Sequence, residues 1–242
     1  MSLHIGTSGW SYDHWIGLLY PREATSLERL DAYARRFDSV EVNNTFYRWP
    51  RDEVFATWRE RLPEGFVVSA KASRGLTQFR KLNDPLPWLE RMESGLVRLG
   101  EKRGVTLFQL PPHFPSDPDR LDRFLAALPR EHRYAVEFRH PTWAVEETFR
   151  LLERYGVAYC VMSGANLPCI LRATAPFVYV RLHGPDHHHL YAGSYPDDGL
   201  RWWADRIGEW RSQGRDIYAY FNNDGHGNAV RNARRLQDFI GP

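Results

Sequence analysis

The chain has 242 residues, of which 43% are hydrophobic and 26% charged, and its formal net charge at pH 7 is +2. This length suits one α/β barrel of about 250 residues, and the composition is typical of a globular rather than a disordered protein. The small net charge does not by itself indicate a nucleic-acid partner, and no apolar run approaches the roughly 18 residues of a membrane span.

The amino terminus and the cysteines both favour a cytoplasmic protein. Met1 is followed within two residues by a strand-like segment, with no basic region and no apolar core of a signal peptide. Only Cys160 and Cys169 are present, which is too few for a disulfide framework and indicates reduced thiols. We therefore predict a cytoplasmic location and no membrane partner.

Candidate strands alternate with candidate helices from one end of the chain to the other, which is typical of parallel βα units. Eight segments have the alternation or apolar character of strands, the number that a closed barrel needs. They are Leu3–Thr7, Ser39–Asn43, Phe66–Lys71, Val105–Leu110, Tyr134–Arg139, Val157–Met162, Phe177–His183 and Ile217–Asn222.

The segments between these strands mostly have helical spacing. Ser26 is predicted to cap the first helix and Asp117 a later one, while apolar residues from Ala229 to Phe239 define the last. The connection Ser163–Pro176 contains glycine and two prolines and is a poor helix.

The predicted fold class is therefore α/β. We expect residues 1–242 to form a single (β/α)8 TIM-barrel-like domain with a parallel closed sheet and a degenerate sixth βα unit. An open doubly wound sheet is the alternative, but no glycine-rich phosphate loop follows the first strand.

Polar and apolar residues alternate within the strands, so the polar residues share one face. The segment from Val178 to His183 shows this most clearly, with Tyr179, Arg181 and His183 opposite three aliphatic residues. The same alternation assigns further polar residues to that face, towards the carboxyl ends of the strands: Glu41, Asn43, Lys71, Gln109, Glu137, Arg139 and Asn222. Barrel interiors are usually apolar and active sites form at the carboxyl ends, so this pattern predicts a functional pocket. A buried ion-pair network that fills the interior is the alternative.

Each residue type in this set has a candidate role. Glu41, Glu137 and His183 are candidate catalytic acids or bases, unless each is only paired with a neighbour. A clamp for an anionic substrate is predicted from Lys71, Arg139 and Arg181, which could instead neutralise the two glutamates. Amide side chains that would orient the substrate by hydrogen bonds are Asn43, Gln109 and Asn222.

Aromatic residues in the loops at the carboxyl ends are candidate stacking surfaces. Tyr47 and Trp143 are predicted to bind a base or a sugar ring, although such residues often pack beneath their own loops. The run His187-His188-His189 suggests a metal site, but a solvated loop is the favoured interpretation. Three cations and two carboxylates in the interior set disfavour a divalent metal, so we predict no metal and no cofactor.

Several motifs resemble one known family. The sequence is similar to the domain-of-unknown-function 72 family, also called YecE-like proteins, in stretches that span nearly the whole chain. These are GTSGWSYDHW (6–15), EVNNTFYRWP (41–50), SAKA (69–72), LFQLPPHF (107–114), AVEFRHPTW (135–143), YVRLHG (179–184) and YFNND (220–224). The resemblance implies a TIM-barrel-like fold and no settled activity. It also implies that the family's motif residues coincide here with Glu41, Asn43, Lys71, Gln109, Glu137, Arg139, Arg181 and His183.

The functional hypothesis is a metal-independent enzyme that acts by acid/base chemistry on an anionic, ring-containing substrate. A phosphorylated sugar, a nucleotide or a nucleic-acid end would fit, in a hydrolase, lyase or isomerase reaction. The alternatives are a non-catalytic nucleic-acid-binding barrel and a metal-dependent phosphodiesterase or isomerase, by fold analogy with the xylose-isomerase and endonuclease IV group. The expected partner is thus an anionic small molecule or a nucleic acid.

Overall fold

The computed structural model describes residues 1–241, and in this part of the chain eight β-strands alternate with helices. The strands are β1 (Leu3–Thr7), β2 (Ser39–Val42), β3 (Val67–Lys71), β4 (Arg103–Gln109), β5 (Tyr134–Glu137), β6 (Ala158–Ser163), β7 (Phe177–Leu182) and β8 (Asp216–Phe221). Their order in the sheet is β1-β8-β7-β6-β5-β4-β3-β2. Pairing is parallel at β1–β8, β7–β8, β3–β4, β4–β5 and β5–β6. The predicted parallel, TIM-barrel-like α/β fold is confirmed.

The helices follow the strands in the expected alternation. They are α1 (Ser26–Ala34), the one-turn α2 (Asn44–Tyr47), α3 (Asp52–Arg61), α4 (Leu86–Leu96), α5 (Pro118–Ala126), α6 (Glu146–Tyr155), α7 (Asp197–Ser212) and α8 (Asn228–Ile240). A π-helical turn, Gly75–Phe79, follows β3. Between β6 and β7 the described chain has no helix, as predicted for the degenerate sixth βα unit. No described helix combines the length and the apolar character that a membrane span requires.

Local hydrogen bonds explain where the helices begin. Asp117 caps α5, as predicted, because its carboxylate accepts from the backbone N–H of Arg120. The predicted cap at Ser26 is wrong by one residue. Thr25 caps α1 instead: its hydroxyl accepts from the backbone N–H of Glu28, whose carboxylate accepts from the backbone N–H of Thr25. Ser26 cannot form this reciprocal pair, because the glutamate must lie three residues after the cap.

The described residues form two compact units. The first unit comprises residues 1–41, 161–171 and 176–241, and the second comprises 42–160 and 172–175. In the first unit β1, β7 and β8 are covered by helices that bury aromatic residues such as Tyr33, Trp203 and Trp210. In the second unit the Phe108 ring packs nearly perpendicular to Phe124 on α5, with the ring centroids 4.8 Å apart. Each buried side chain of this size stabilises the fold by about 1.5–3 kcal/mol. That residues 1–242 act as a single domain stays a prediction.

Candidate functional site

The first unit buries one carboxylate, Glu41 at the end of β2, together with four hydrogen-bond donors. Its Oε1 accepts from the Ser8 hydroxyl at 2.5 Å and from Nη2 and Nε of Arg181 at 2.8 and 3.2 Å. Its Oε2 accepts from the Tyr179 hydroxyl at 2.7 Å. Glu41 and Arg181 are both 0% exposed. The burial of this charge pair is therefore compensated by direct hydrogen bonds.

The alternation along β7 explains this cluster. Tyr179 and Arg181 lie two residues apart and both reach Glu41, as expected for residues on one face of a strand. Burial and the nearby Glu41 charge raise the pKa of Tyr179 well above its ordinary value. The phenol therefore stays protonated at neutral pH and donates to the carboxylate. This arrangement agrees with the prediction that Arg181 neutralises a glutamate more closely than with a ligand clamp.

His183 and Asn222 meet in the same unit, one residue beyond the ends of β7 and β8. The Asn222 Nδ2 lies 3.3 Å from the His183 Nδ1, and the imidazole and the Tyr191 ring are nearly perpendicular with their centroids 5.3 Å apart. If the amide nitrogen donates, the imidazole proton lies on Nε2. His183 is fully buried and Asn222 is half-buried.

The histidine run lies on the surface of the loop that follows. His187, His188 and His189 are exposed, and the carboxylate of Asp186 accepts from the backbone N–H groups of His188 and His189 at 2.7 Å. These two bonds lower the pKa of Asp186. Across the described residues, no three His, Cys, Asp or Glu side chains are grouped as metal ligands. Metal-independence stays a prediction.

The second unit has its own buried carboxylate, Glu137 at the end of β5. Its Oε1 accepts from Gln109 Nε2 at 2.7 Å and from Arg139 Nε at 2.5 Å, and its Oε2 lies 3.9 Å from the Cys160 Sγ. Gln109 and Glu137 are directly opposite in the register of β4 and β5, so the pairing follows from the parallel sheet. Glu137 is fully buried, but the Arg139 side chain is 10% exposed and Gln109 is half-buried. These two donors connect the carboxylate to the surface.

Asn43 follows the last residue of β2 and Lys71 is the last residue of β3, and both belong to the second unit. Asn43 was predicted as the last residue of β2, but the strand ends at Val42 and Asn43 has helical φ and ψ, so strand alternation does not apply to it. The hydroxyl of Thr45 contacts the backbone oxygens of both Val42 and Lys71, which ties this turn to β3. The buried Oδ1 of Asn43 has no hydrogen-bond partner within the described chain. The Lys71 ammonium lies 4.1 Å from the centre of the Phe46 ring.

The aromatic candidates differ in exposure. Tyr47 is 66% exposed and available for stacking, whereas Trp143 is 1% exposed. The Trp143 indole donates to the Phe114 carbonyl at 2.8 Å and stacks on Phe138, so it packs beneath its own loop. Three rings in the loop after β1, Trp10, Trp15 and Tyr20, are also buried.

The structure thus places most of the predicted residues in three separate groups. Glu41 joins Arg181, and His183 joins Asn222, in the first unit; Glu137 joins Gln109 and Arg139 in the second. Convergence of the whole set on one pocket stays a prediction. Sequence reasoning did not identify Ser8. It follows β1 directly, so its position after a strand was the available signal.

Comparison with known proteins gives one consistent family. A family model described as protein of unknown function DUF72 matches residues 4–242. The UPF0759 protein YunF of Bacillus subtilis (strain 168) is 26% identical across 98% of this chain and 94% of its own length. The UPF0759 protein YecE of Escherichia coli (strain K12) is 31% identical across 57% of this chain and 49% of its own length.

Solved structures with the same fold include two crystal structures of DUF72 proteins. The one from Thermotoga maritima MSB8 superposes with a TM-score of 0.86 at 26% identity and covers 99% of both chains. One from Enterococcus faecalis V583 has a TM-score of 0.84 at 17% identity, with 98% of this chain and 95% of that chain covered. The second likeness concerns the fold alone.

Proposed function

This chain belongs to the DUF72 family of proteins of unknown function, and we propose that it is a metal-independent enzyme that binds an anionic, ring-containing substrate in its second unit. Arg139 holds the anionic group, and Gln109 and Asn43 form hydrogen bonds to the rest of the substrate. Glu137 positions two of these groups and carries the proton in the reaction. A phosphorylated sugar, a nucleotide or a nucleic-acid end has the required chemistry.

The observation that carries the proposal is the shared carboxylate oxygen of Glu137. Because Gln109 Nε2 and Arg139 Nε both bind Oε1, the glutamate fixes the orientation of an amide and a guanidinium that both reach the surface. A guanidinium has five N–H donors in a planar fork that matches phosphate and carboxylate oxygens. Arg139 contacts Glu137 through Nε, the guanidinium nitrogen that is bonded to the side-chain stem.

Asn43 adds a hydrogen-bond acceptor to the same unit. A buried side-chain oxygen without a partner costs about 1–3 kcal/mol, and a substrate hydroxyl or amine would remove that cost. A site that offers both cationic donors and a neutral acceptor fits a molecule with an anionic group and a polar ring better than it fits a simple inorganic anion.

Glu137 is the candidate proton-transfer group because it is the carboxylate that contacts two of the three proposed substrate-binding side chains, Gln109 and Arg139. It is fully buried in the unliganded chain, so substrate must approach it through the partly exposed Arg139. Catalytic hydrogen bonds are often incomplete without ligand and form fully only in the substrate complex. Glu41 takes no part in this proposal, since its hydrogen bonds are made to buried protein groups.

Thermal melts with a panel of ligands test the binding step. Phosphate, ribose 5-phosphate and adenosine monophosphate are compared with uncharged ribose and adenosine. A ligand at a hundred times its dissociation constant stabilises the protein by about 2.7 kcal/mol, which raises the melting temperature of a chain of this size by roughly 5–10 °C. We expect this response for the charged ring compounds, and its loss in Arg139→Lys, which keeps the charge but loses the planar fork.

Arg103→Lys is the matched control. Arg103 lies in the same unit, is 8% exposed and pairs with Glu93, so it resembles Arg139 in burial and partner. This variant should keep the full ligand response. A wild-type protein that no charged compound stabilises, or an equal loss of response in both variants, contradicts the proposal. Once a turned-over substrate is found, Glu137→Gln should still bind it and no longer convert it.

A further inference from the structure

A strip of cations and aromatic rings extends from the end of β3 onto the surface of the second unit. We call it the Tyr47–Arg74–Phe79 platform, after its three exposed members. The guanidinium carbon of Arg74 lies 5.7 Å from the centre of the Tyr47 ring and 5.6 Å from that of the Phe79 ring. Tyr47 is 66% and Phe79 72% exposed, so both rings present large apolar surfaces to solvent. Large exposed rings grouped in this way mark interaction sites.

The platform is continuous with the proposed site. The Phe46 and Tyr47 rings are perpendicular with their centroids 5.1 Å apart, and the Lys71 ammonium lies over Phe46. On its other side, the Gln78 amide donates to the backbone oxygen of Gln109 at 2.6 Å. Gln109 in turn binds Glu137, so the segment that carries Phe79 is attached to the candidate site by direct hydrogen bonds.

The backbone holds this segment in an uncommon shape. Gly75–Phe79 forms a π-helical turn, a feature that often occurs at functional sites. A side chain at Gly75 would come within 2.0 Å of the Trp88 ring, so only glycine lets the turn lie against this indole. Lys81, Leu82 and Asp84 follow with φ of 48°, 70° and 46°, a left-handed region that costs non-glycine residues free energy. Residues in this region cluster at ligand-binding and active sites.

The two segments that carry the platform are basic. Residues 43–51 contain two arginines and no carboxylate, and residues 71–83 contain two arginines and two lysines and no carboxylate. A basic surface interleaved with exposed rings matches a chain that alternates phosphates with flat bases. A duplex hides its base faces in the stack, and a peptide made of Asp and Glu has no rings to stack on Tyr47 and Phe79.

We propose that the Tyr47–Arg74–Phe79 platform binds single-stranded nucleic acid, with bases stacked on Tyr47 and Phe79 and a phosphate held by Arg74. This proposal rests on the proposed function for its substrate class and makes that class more specific. The anionic, ring-containing substrate is the end of a nucleic-acid strand, and the platform binds the nucleotides next to that end. RNA and DNA share this chemistry, and the test separates them.

Fluorescence anisotropy measures the binding of labelled oligouridylate and oligothymidylate of about 12 nucleotides, within the site sizes of known single-strand binders. The matched duplex and polyglutamate serve as competitors. We expect the single strands to bind and both competitors to displace them poorly. Loss of one stacking ring should weaken binding about tenfold, so Tyr47→Ala and Phe79→Ala should each show this loss. Arg74→Gln should lower the slope of log affinity against log salt concentration by about 0.7, the effect of one lost phosphate contact on a single strand.

Trp202→Ala is the matched control. Trp202 is a 42% exposed ring with Arg206 5.6 Å from its centre, and it lies in the first unit. This variant should bind like the wild type. A duplex or polyglutamate that competes as well as a single strand, or ring variants with wild-type affinity, overturns the proposal. A preference for one sugar type identifies the natural strand and supports the proposal in either case.

The two proposals can fail separately. If ribose 5-phosphate stabilises the protein through Arg139 and no oligonucleotide binds, the platform proposal fails and the proposed function stands. The opposite outcome has two parts: oligonucleotides bind through Tyr47 and Phe79, and Arg139→Lys changes neither their affinity nor any small-ligand response. In that case the platform proposal is supported and the proposed enzymatic site is wrong.

Discussion

Removing Arg181 should destabilise the protein rather than alter ligand binding. Arg181→Met leaves the Glu41 carboxylate in a fully buried position, where the hydroxyls of Ser8 and Tyr179 still donate to it but no positive charge balances it in this cluster. Breaking a buried ion pair by removing one partner costs about 3–5 kcal/mol. For a chain of this length, each kcal/mol lowers the melting temperature by roughly 2–4 °C. The expected loss is therefore on the order of 10 °C, readable by calorimetry or by circular dichroism.

A double-mutant cycle separates this cause from general damage to the core. Glu41→Gln keeps an oxygen that can accept from Tyr179 but removes the charge, and combining it with Arg181→Met leaves no uncompensated ion. The double variant should recover a large part of the stability lost in Arg181→Met, with a coupling free energy of about 1–3 kcal/mol. If the two single losses simply add, the pair is not what stabilises this region. If Arg181→Met melts like the wild type but loses its response to anions, Arg181 is a ligand clamp and the structural interpretation is wrong.

Four further predictions concern other parts of the chain. Burial raises the pKa of Glu93, but Arg103 and His132 lower it more, so the net pKa is lowered. The ionised carboxylate therefore stabilises the fold above the unfolded pKa of about 4.3, and this stabilisation is lost as the pH falls through the lower folded pKa. Arg103→Gln should make the melting temperature depend less on pH in that range. Asn232→Ala should cost about 2–4 kcal/mol in chemical unfolding, because its buried amide binds the backbone of Tyr195 and the Asn223 side chain. Asp117→Ala should cost about 1 kcal/mol by the same measurement, through the lost cap of α5. Elemental analysis of the protein after removal of any affinity tag should find no stoichiometric metal, and one tightly held zinc or manganese per chain would favour a metallohydrolase.

The order of strands and helices could be predicted because both signals are local. The alternation in β7 is visible as Val-Tyr-Val-Arg-Leu, and the glycine and prolines after β6 already exclude a helix there. Boundaries are less predictable, because the end of a strand depends on hydrogen bonds to another part of the chain. Asn43 shows this: the alternation pattern continues through it, but the backbone turns into α2 after Val42.

Partners within the site could not be predicted, because alternation assigns a face and not a neighbour. The charges of Lys71, Arg139 and Arg181 are equal in the sequence, and only the fold shows that Arg181 is enclosed while Arg139 reaches the surface. Aromatic residues pose the same problem. Tyr47 and Trp143 both follow a strand, but one ring is exposed and the other is held by a hydrogen bond to Phe114.

Glu41 and Glu137 show how one residue type at equivalent strand ends can have different uses. Both are fully buried and both bind an arginine. The donors around Glu41 are themselves buried, so its hydrogen bonds are made within the protein interior and contribute to the stability of the fold. The donors around Glu137 are a half-buried amide and a partly exposed guanidinium, both oriented by their bonds to one carboxylate oxygen. Ligand binding requires accessible donors that are held in place, and we therefore place the proposed site at Glu137 and not at Glu41.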